Sequence, residues 1–124
     1  MRASLSGMTA TAEPEGPARI KGSCAPMPTD RLQGAEAIRV STVFKALADP
    51  TRIEMVHFLK AAPGPICVCD FTEVFGLSQP TVSHHLARLR EAGIVACSKR
   101  GVWAFYQLCP DMSSEAAAAV AAIP

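Results

Sequence analysis

Residues 77–93 read Leu77-Ser78-Gln79-Pro80-Thr81-Val82-Ser83-His84-His85-Leu86-Ala87-Arg88-Leu89-Arg90-Glu91-Ala92-Gly93, LSQPTVSHHLARLREAG, and the fold turns on this stretch. Ser78 is a natural N-cap, proline follows within the first turn, and Gly93 closes the helix. Val82, Leu86 and Leu89 form one apolar stripe. At about 100° per residue, His84, Ala87 and Glu91 fall opposite that stripe, with Thr81, Ser83 and Arg88 flanking the exposed face. His85 falls beside the apolar edge and is expected to be packed and hydrogen-bonded there. A helix with so narrow a buried stripe and so many donors and acceptors elsewhere suits insertion into a groove of another molecule.

Reading toward the N-terminus, Pro65-Ile66-Cys67-Val68-Cys69-Asp70-Phe71 opens a shorter helix. Cys67 stands where a capping serine usually does and Asp70 three residues on, the spacing of a capping box. Phe71-Thr72-Glu73-Val74-Phe75 continues the helix and Gly76 ends it, so two short helices joined by about three residues make a helix-turn-helix. Before it, Asp49-Pro50 caps and starts a helix that Pro63-Gly64-Pro65 terminates. The segment from Asp30, a plausible cap, carries Val40, Val43, Phe44 and Leu47 at the spacing of one buried helix face. Residues 1–28, rich in Ala, Ser, Thr, Pro and Gly without periodicity, read as a flexible arm carrying Cys24, and residues 29–124 as the folded domain.

Reading toward the C-terminus, IVACSKRGVWAFYQL is two strands joined at Ser98-Lys99-Arg100-Gly101, a hairpin placed to act as a wing. Ser113-Ser114-Glu115 then leads an alanine-rich helix whose small side chains permit close packing against the first helix or a second copy of it. The fold class expected is mainly α with a small β-hairpin, a winged helix-turn-helix.

Composition narrows the function. The chain has 124 residues, 49% hydrophobic but only 6% aromatic, and no apolar run approaches the ~18 residues that span a bilayer. Its beginning has no apolar core of the signal-peptide kind, so a reducing cytoplasmic setting is expected, where five cysteines read as thiols. A net charge of +1 hides an asymmetry: Arg88, Arg90, Lys99 and Arg100 face Glu91 alone between Ser78 and Gly101. Ser78, Gln79, Thr81, Ser83, His84 and Arg88 are thus candidates for contact with double-stranded operator DNA, Gln79 for adenine, with Lys99 and Arg100 for phosphate or the minor groove. The chain has no C-x-x-C motif, glycine-rich nucleotide loop or β-α-β pattern, so an enzyme is not expected.

The chain resembles the ArsR/SmtB family of metal-responsive repressors, through FKALADPTR, ICVCD, LSQPTVSHHLARLREAGIV and GVWAFYQL, over about residues 40–108. The resemblance implies a winged-helix homodimer that blocks a promoter until a toxic metal or metalloid binds. Its arsenite-sensing members commonly use three cysteines, some as C-x-C-D-x-C, and here Thr72 holds the third position.

The thiols fit that implication. Placing Cys67 at the N-cap frees its side chain to swing toward Cys69, and the helix dipole is expected to lower both thiol pKa values. Thiolates select soft ions. Cys24 is the first choice for a third ligand, giving a Cys24, Cys67, Cys69 set for As(III) or Sb(III). Cys109 is the competitor, and would suit a Cd(II) or Pb(II) sensor. Cys97 alternates with Val95 toward the core. The family's zinc site on the last helix is not expected, because no histidine follows His85. A thiol-based redox repressor is the remaining alternative, and no organic cofactor is expected.

Overall fold

The structure, a computed structural model, describes residues 26–124. Cys24 and the rest of residues 1–25 lie outside the described residues. The chain divides into two units, Met1–Arg31 and Leu32–Pro124. In the first, residues 26–31 are exposed and form no helix or strand. The second holds helices α1 (Gly34–Leu47), α2 (Pro50–Ala61), α3 (Val68–Phe75), α4 (Gln79–Glu91) and α5 (Ser114–Ala121). Strands β1 (Ile66–Cys67), β2 (Val95–Arg100) and β3 (Trp103–Leu108) form an antiparallel sheet in the order β1-β3-β2.

Helix α1 departs from expectation at its start and in its buried face. Its cap is Gln33 rather than Asp30, and the Gln33 backbone N–H donates to Glu36 Oε1 at 3.1 Å. Leu32, 68% exposed, is not buried against the described residues and so adds little to hold an earlier turn. The buried stripe is Val43, Ala46 and Leu47, whereas Phe44 is 61% exposed and lies outward with Ile38. Both flanks of α1 carry apolar residues at helical spacing, so periodicity alone does not choose between them.

The remaining helices follow their local signals. Asp49 Oδ1 accepts from the N–H groups of Thr51 and Arg52 at 2.8 and 3.1 Å, and Pro50 follows. Met55, Val56 and Leu59 of α2 are buried beside Phe71 of α3. Rings of Phe58, Phe71 and Phe75 stand 5.6–6.1 Å apart, two of the three pairs edge-to-face, and this cluster fastens α3 to α2. Gly76, at φ +66°, supplies the left-handed residue that ends α3. Val82, Leu86 and Leu89 of α4 are fully buried, as their stripe predicted.

The wing differs in detail. The last cross-strand pair is Arg100 with Trp103, so the turn is the two residues Gly101-Val102, and Lys99 and Arg100 belong to β2. Gly101 at φ +63°, with no positive φ at Val102, is the pattern of a tight hairpin turn with glycine first. Strand β1 was not expected: Ile66 pairs with Tyr106 and Cys67 with Phe105. Two residues are too few for an alternation to be read, and Pro65, lacking an N–H, suits only the start of an edge strand.

Helix α5 begins at a Ser113 cap and packs on α1, with Arg39 Nε 2.9 Å from Glu115 Oε2. Lys60 Nζ donates to the carbonyls of Val120 and Ile123 at the other end of α5. Among the described residues no helix is long and apolar enough to cross a membrane.

The Asp49 cap is testable. Its carboxyl is held below the usual value first by the Arg52 N–H and then, against a smaller effect of burial, by the Arg52 guanidinium. Asp49→Ala should cost about 1 kcal/mol in urea unfolding at neutral pH. A depressed folded-state pKa stabilises above the unfolded value, about pH 4, and that contribution is lost as pH falls through the folded value. The deficit of Asp49→Ala should therefore shrink in acid; a deficit constant from pH 7 to pH 3 would exclude the carboxylate as its source.

Candidate functional site

Cys67 ends β1 and caps α3 in one residue. Its backbone is extended (φ −68°, ψ 144°), as the strand requires, and it is 6% exposed. No side-chain capping hydrogen bond forms at Cys67. The expected capping box with Asp70 is therefore not made. The Cys67 sulfur instead accepts from Cys69 Sγ at 2.8 Å, while Cys69 itself is exposed. The non-helical cap residue has thus swung its thiol onto the side of the second cysteine, which two mid-helix residues at this spacing would not do.

The electrostatics of the pair correct one expectation. The Cys69 thiol pKa is raised, first by the hydrogen bond it donates to Cys67, then by burial and by the negative charge that Cys67 or Asp70 would place beside it. The hydrogen bond to Cys67 outweighs the helix dipole at Cys69. Thr72 turns its hydroxyl onto the Cys69 carbonyl at 2.7 Å.

Cys109 is not joined to this pair. It lines a separate cleft of about 380 Å³ with Ile38, Thr42, Glu91 and Asp111, and its N–H donates to the Ile94 carbonyl at 2.8 Å. Cys97 is half-buried opposite Tyr106 rather than in the core, and Tyr106's phenol is pushed up by burial and by its hydrogen bond to that thiol. Among the described residues no three His, Cys, Asp or Glu side chains are grouped so as to hold an ion. Two adjacent thiols are present there, and a third donor is not.

The candidate DNA-contacting residues share a surface built from α4 and β2. Ser78, Gln79, Thr81, His84, Arg88, Lys99 and Arg100 are exposed and Ser83 is half-buried. Ser78 Oγ accepts from the Thr81 N–H at 3.4 Å and donates to Thr81 Oγ1 at 2.9 Å, so both hydroxyls are engaged in the cap. Arg88 lies 3.3 Å from Glu91, an exposed pair that solvent weakens. The guanidinium of Arg100 lies over the Phe105 ring, 5.0 Å from its centroid.

His85 is half-buried and bonded, as its place beside the stripe predicted. Its Nδ1 is 3.1 Å from Arg52 Nη1, and because arginine only donates, Nδ1 must accept and the ring proton sits on Nε2. Arg52 also donates through Nε to the Ala46 carbonyl at 2.6 Å and through Nη2 to the Lys45 carbonyl at 3.5 Å. One guanidinium thereby ties the C-terminal turn of α1 to α4. Sequence reasoning passed over Arg52; the available signal was a cation in the first turn of a helix, where the dipole disfavours it, which asks for another partner.

Comparison with known proteins bears on the family and the fold. The model of the family described as "Bacterial regulatory protein, arsR family" matches residues 49–96. The arsenic resistance transcriptional regulator ArsR1 of Pseudomonas putida is 47% identical over 77 residues, 62% of this chain and 59% of that protein. A cadmium resistance transcriptional regulatory protein CadC homolog from Staphylococcus aureus is 41% identical over 69 residues, 56% of each. The matched stretch thus spans less than two thirds of both relatives. Among solved structures, the transcriptional repressor BigR from Xylella fastidiosa superposes with a TM-score of 0.55 at 32% identity, over 71% of this chain and 82% of that one.

Loss of the Arg52 fork should loosen α1 from α4. Arg52→Gln is expected to destabilise the fold by about 1.5–3 kcal/mol in urea unfolding, the range for hydrogen bonds to a charged group. Arg52→Lys should recover only part of it, since an ammonium does not span three acceptors in one plane. Wild-type stability in Arg52→Gln would mean the fork bears no load.

Proposed function

The chain belongs to the arsR family of bacterial regulatory proteins, and on that premise we propose that it is an arsenite-responsive transcriptional repressor. It binds double-stranded operator DNA as a homodimer and releases it when As(III), or its congener Sb(III), is held by the thiolates of Cys67, Cys69 and Cys24. The single observation that carries this reading is the contact of the Cys67 and Cys69 sulfurs at the first turn of α3. The donor set fits a soft metalloid, and its two-thiol incompleteness among the described residues leaves a place for Cys24.

The roles follow from position. Gln79 and His84 offer hydrogen bonds to base edges in the major groove, Ser78, Thr81 and Ser83 reach bases or phosphates near the helix start, and Arg88 neutralises phosphate. Lys99 and Arg100 extend the contact along the wing. One winged helix makes few such contacts, so two copies reading half-sites roughly 34 Å apart supply the affinity. The exposed flank of α1, with Ile38 and Phe44, supports a second copy as the partner that covers it. When Cys67 and Cys69 turn from their mutual hydrogen bond to a common ligand, the first turn of α3 must adjust, and only Gly76-Leu77-Ser78 separates α3 from α4. Moving a repressor from 99% to 1% bound takes about 5.5 kcal/mol of differential binding, within reach of sulfur coordination but not of one hydrogen bond.

Two alternatives have distinct signatures. A Cd(II) or Pb(II) sensor would recruit Cys109. A redox sensor would oxidise the Cys67–Cys69 pair, whose sulfurs already touch, and would answer to peroxide.

A gel-shift titration separates all three. Cys67→Ser, Cys69→Ser and Cys24→Ser should each abolish release by arsenite, and Cys109→Ser should leave it intact; a Cys67→Ser, Cys69→Ser double variant that still leaves its operator would overturn the reading. The pH dependence discriminates further. Arsenous acid takes each thiol proton away as water, so its affinity should be nearly flat from pH 6 to pH 8. A divalent cation expels free protons, and its affinity should rise roughly tenfold per pH unit for each proton released.

Phe44→Glu should convert the dimer to monomer in sedimentation. Each copy loses a Phe burial of about 1.5–3 kcal/mol and symmetry counts it twice, so the dissociation constant should rise at least about 100-fold. An unchanged dimer would move the interface elsewhere.

A further inference from the structure

Cys67 touches more than α3. Its backbone is the last rung of β1 on β3, directly opposite Phe105, and β3 is the central strand of the sheet. Phe105 is also paired with Ser98 of β2 on its other side. Its ring packs against the hydrophobic core and carries the Arg100 guanidinium 5.0 Å from its centroid. Arg100 is opposite Trp103, and residues two apart on a strand share a face, so Phe105 is the diagonal neighbour that Arg100 can reach. An arginine stacked on a ring is held in a narrower range of orientations than one standing free in solvent.

We propose that Phe105 is a positioning residue that carries the state of Cys67 to the wing, by pairing with Cys67 through its backbone and holding Arg100 through its ring. This rests on the thiol pair being the inducer site, and extends it. Ligation at Cys67 then acts on two DNA-contacting elements at once. It disturbs α4 through the first turn of α3, and it disturbs the aim of Arg100 through the β1–β3 rung. The two effects share one origin because the cap of α3 and the end of β1 are the same residue.

The test compares wild type, Phe105→Leu and Phe105→Tyr as full chains. Leucine keeps an apolar side chain against the core but removes the ring face; tyrosine keeps both. Operator affinity is measured by fluorescence anisotropy with and without arsenite, arsenite binding by thiolate absorbance, and amide exchange in residues 66–67 and 99–105 by mass spectrometry. Wild type should lose operator affinity on the order of 10,000-fold with arsenite, the differential that takes a repressor from about 99% to 1% bound, and show faster exchange in both segments. Phe105→Leu should bind arsenite as wild type does, yet lose about threefold to tenfold less operator affinity on binding it. Phe105→Tyr should restore the full response.

Should Phe105→Leu fail to fold, Arg100→Lys breaks the same stack from its exposed side, and the same shrinkage of the arsenite response is expected there. A full response in Phe105→Leu, or in Arg100→Lys where that variant stands in, overturns the coupling while leaving the thiol site intact. Faster exchange confined to α3 and α4 does the same. Wild type that neither binds arsenite nor releases DNA overturns both proposals together.

Discussion

Cys67 has to satisfy two backbones at once, and the arrangement of the site depends on that constraint. As the end of β1 it must be extended to pair with Phe105, and as the cap of α3 it must be non-helical. One pair of dihedral angles meets both demands. Because that conformation is extended, its thiol is free to reach a residue two positions on, and the contact with Cys69 follows. A cysteine one turn deeper in α3 would have neither the strand pairing nor the reach.

Helix α4 is fixed from two directions. Val82, Leu86 and Leu89 hold it to the core by burial, which is strong but not directional. The Arg52–His85 contact adds direction, since a planar fork bonded to α1 carbonyls and to an imidazole admits little rotation of α4 about its axis. Residues on the opposite face are thereby presented in a defined orientation. The charge needed for DNA is then local, a cluster on α4 and β2, and the chain can remain near neutrality overall.

The outward flank of α1 and the thiol pair share a property: each is incomplete within the described residues of a single chain. Phe44 and Ile38 are large apolar residues left in solvent, and Cys67 with Cys69 is a donor pair short of a site. An assembly that supplies a second copy answers the first, and a third thiol answers the second.

The ends of α2, α3 and α4 and the helix-turn-helix were legible because caps and stops are local chemistry: Asp49-Pro50, Ser78 and Gly76 act on backbone groups within four residues. The buried stripe of α4, the hairpin and the packed state of His85 were legible for the same reason of short-range periodicity. What the sequence did not determine was set by contacts between distant residues. Which flank of α1 turns inward depends on where α2, α4 and α5 lie; β1 exists only because β3 passes beside it; Arg52 finds partners six and thirty-three residues away. The direction of the Cys69 shift likewise needed the position of one sulfur relative to another. Local hydrogen bonding wrote the elements into the chain, and only packing across sequence-distant segments decided what those elements hold.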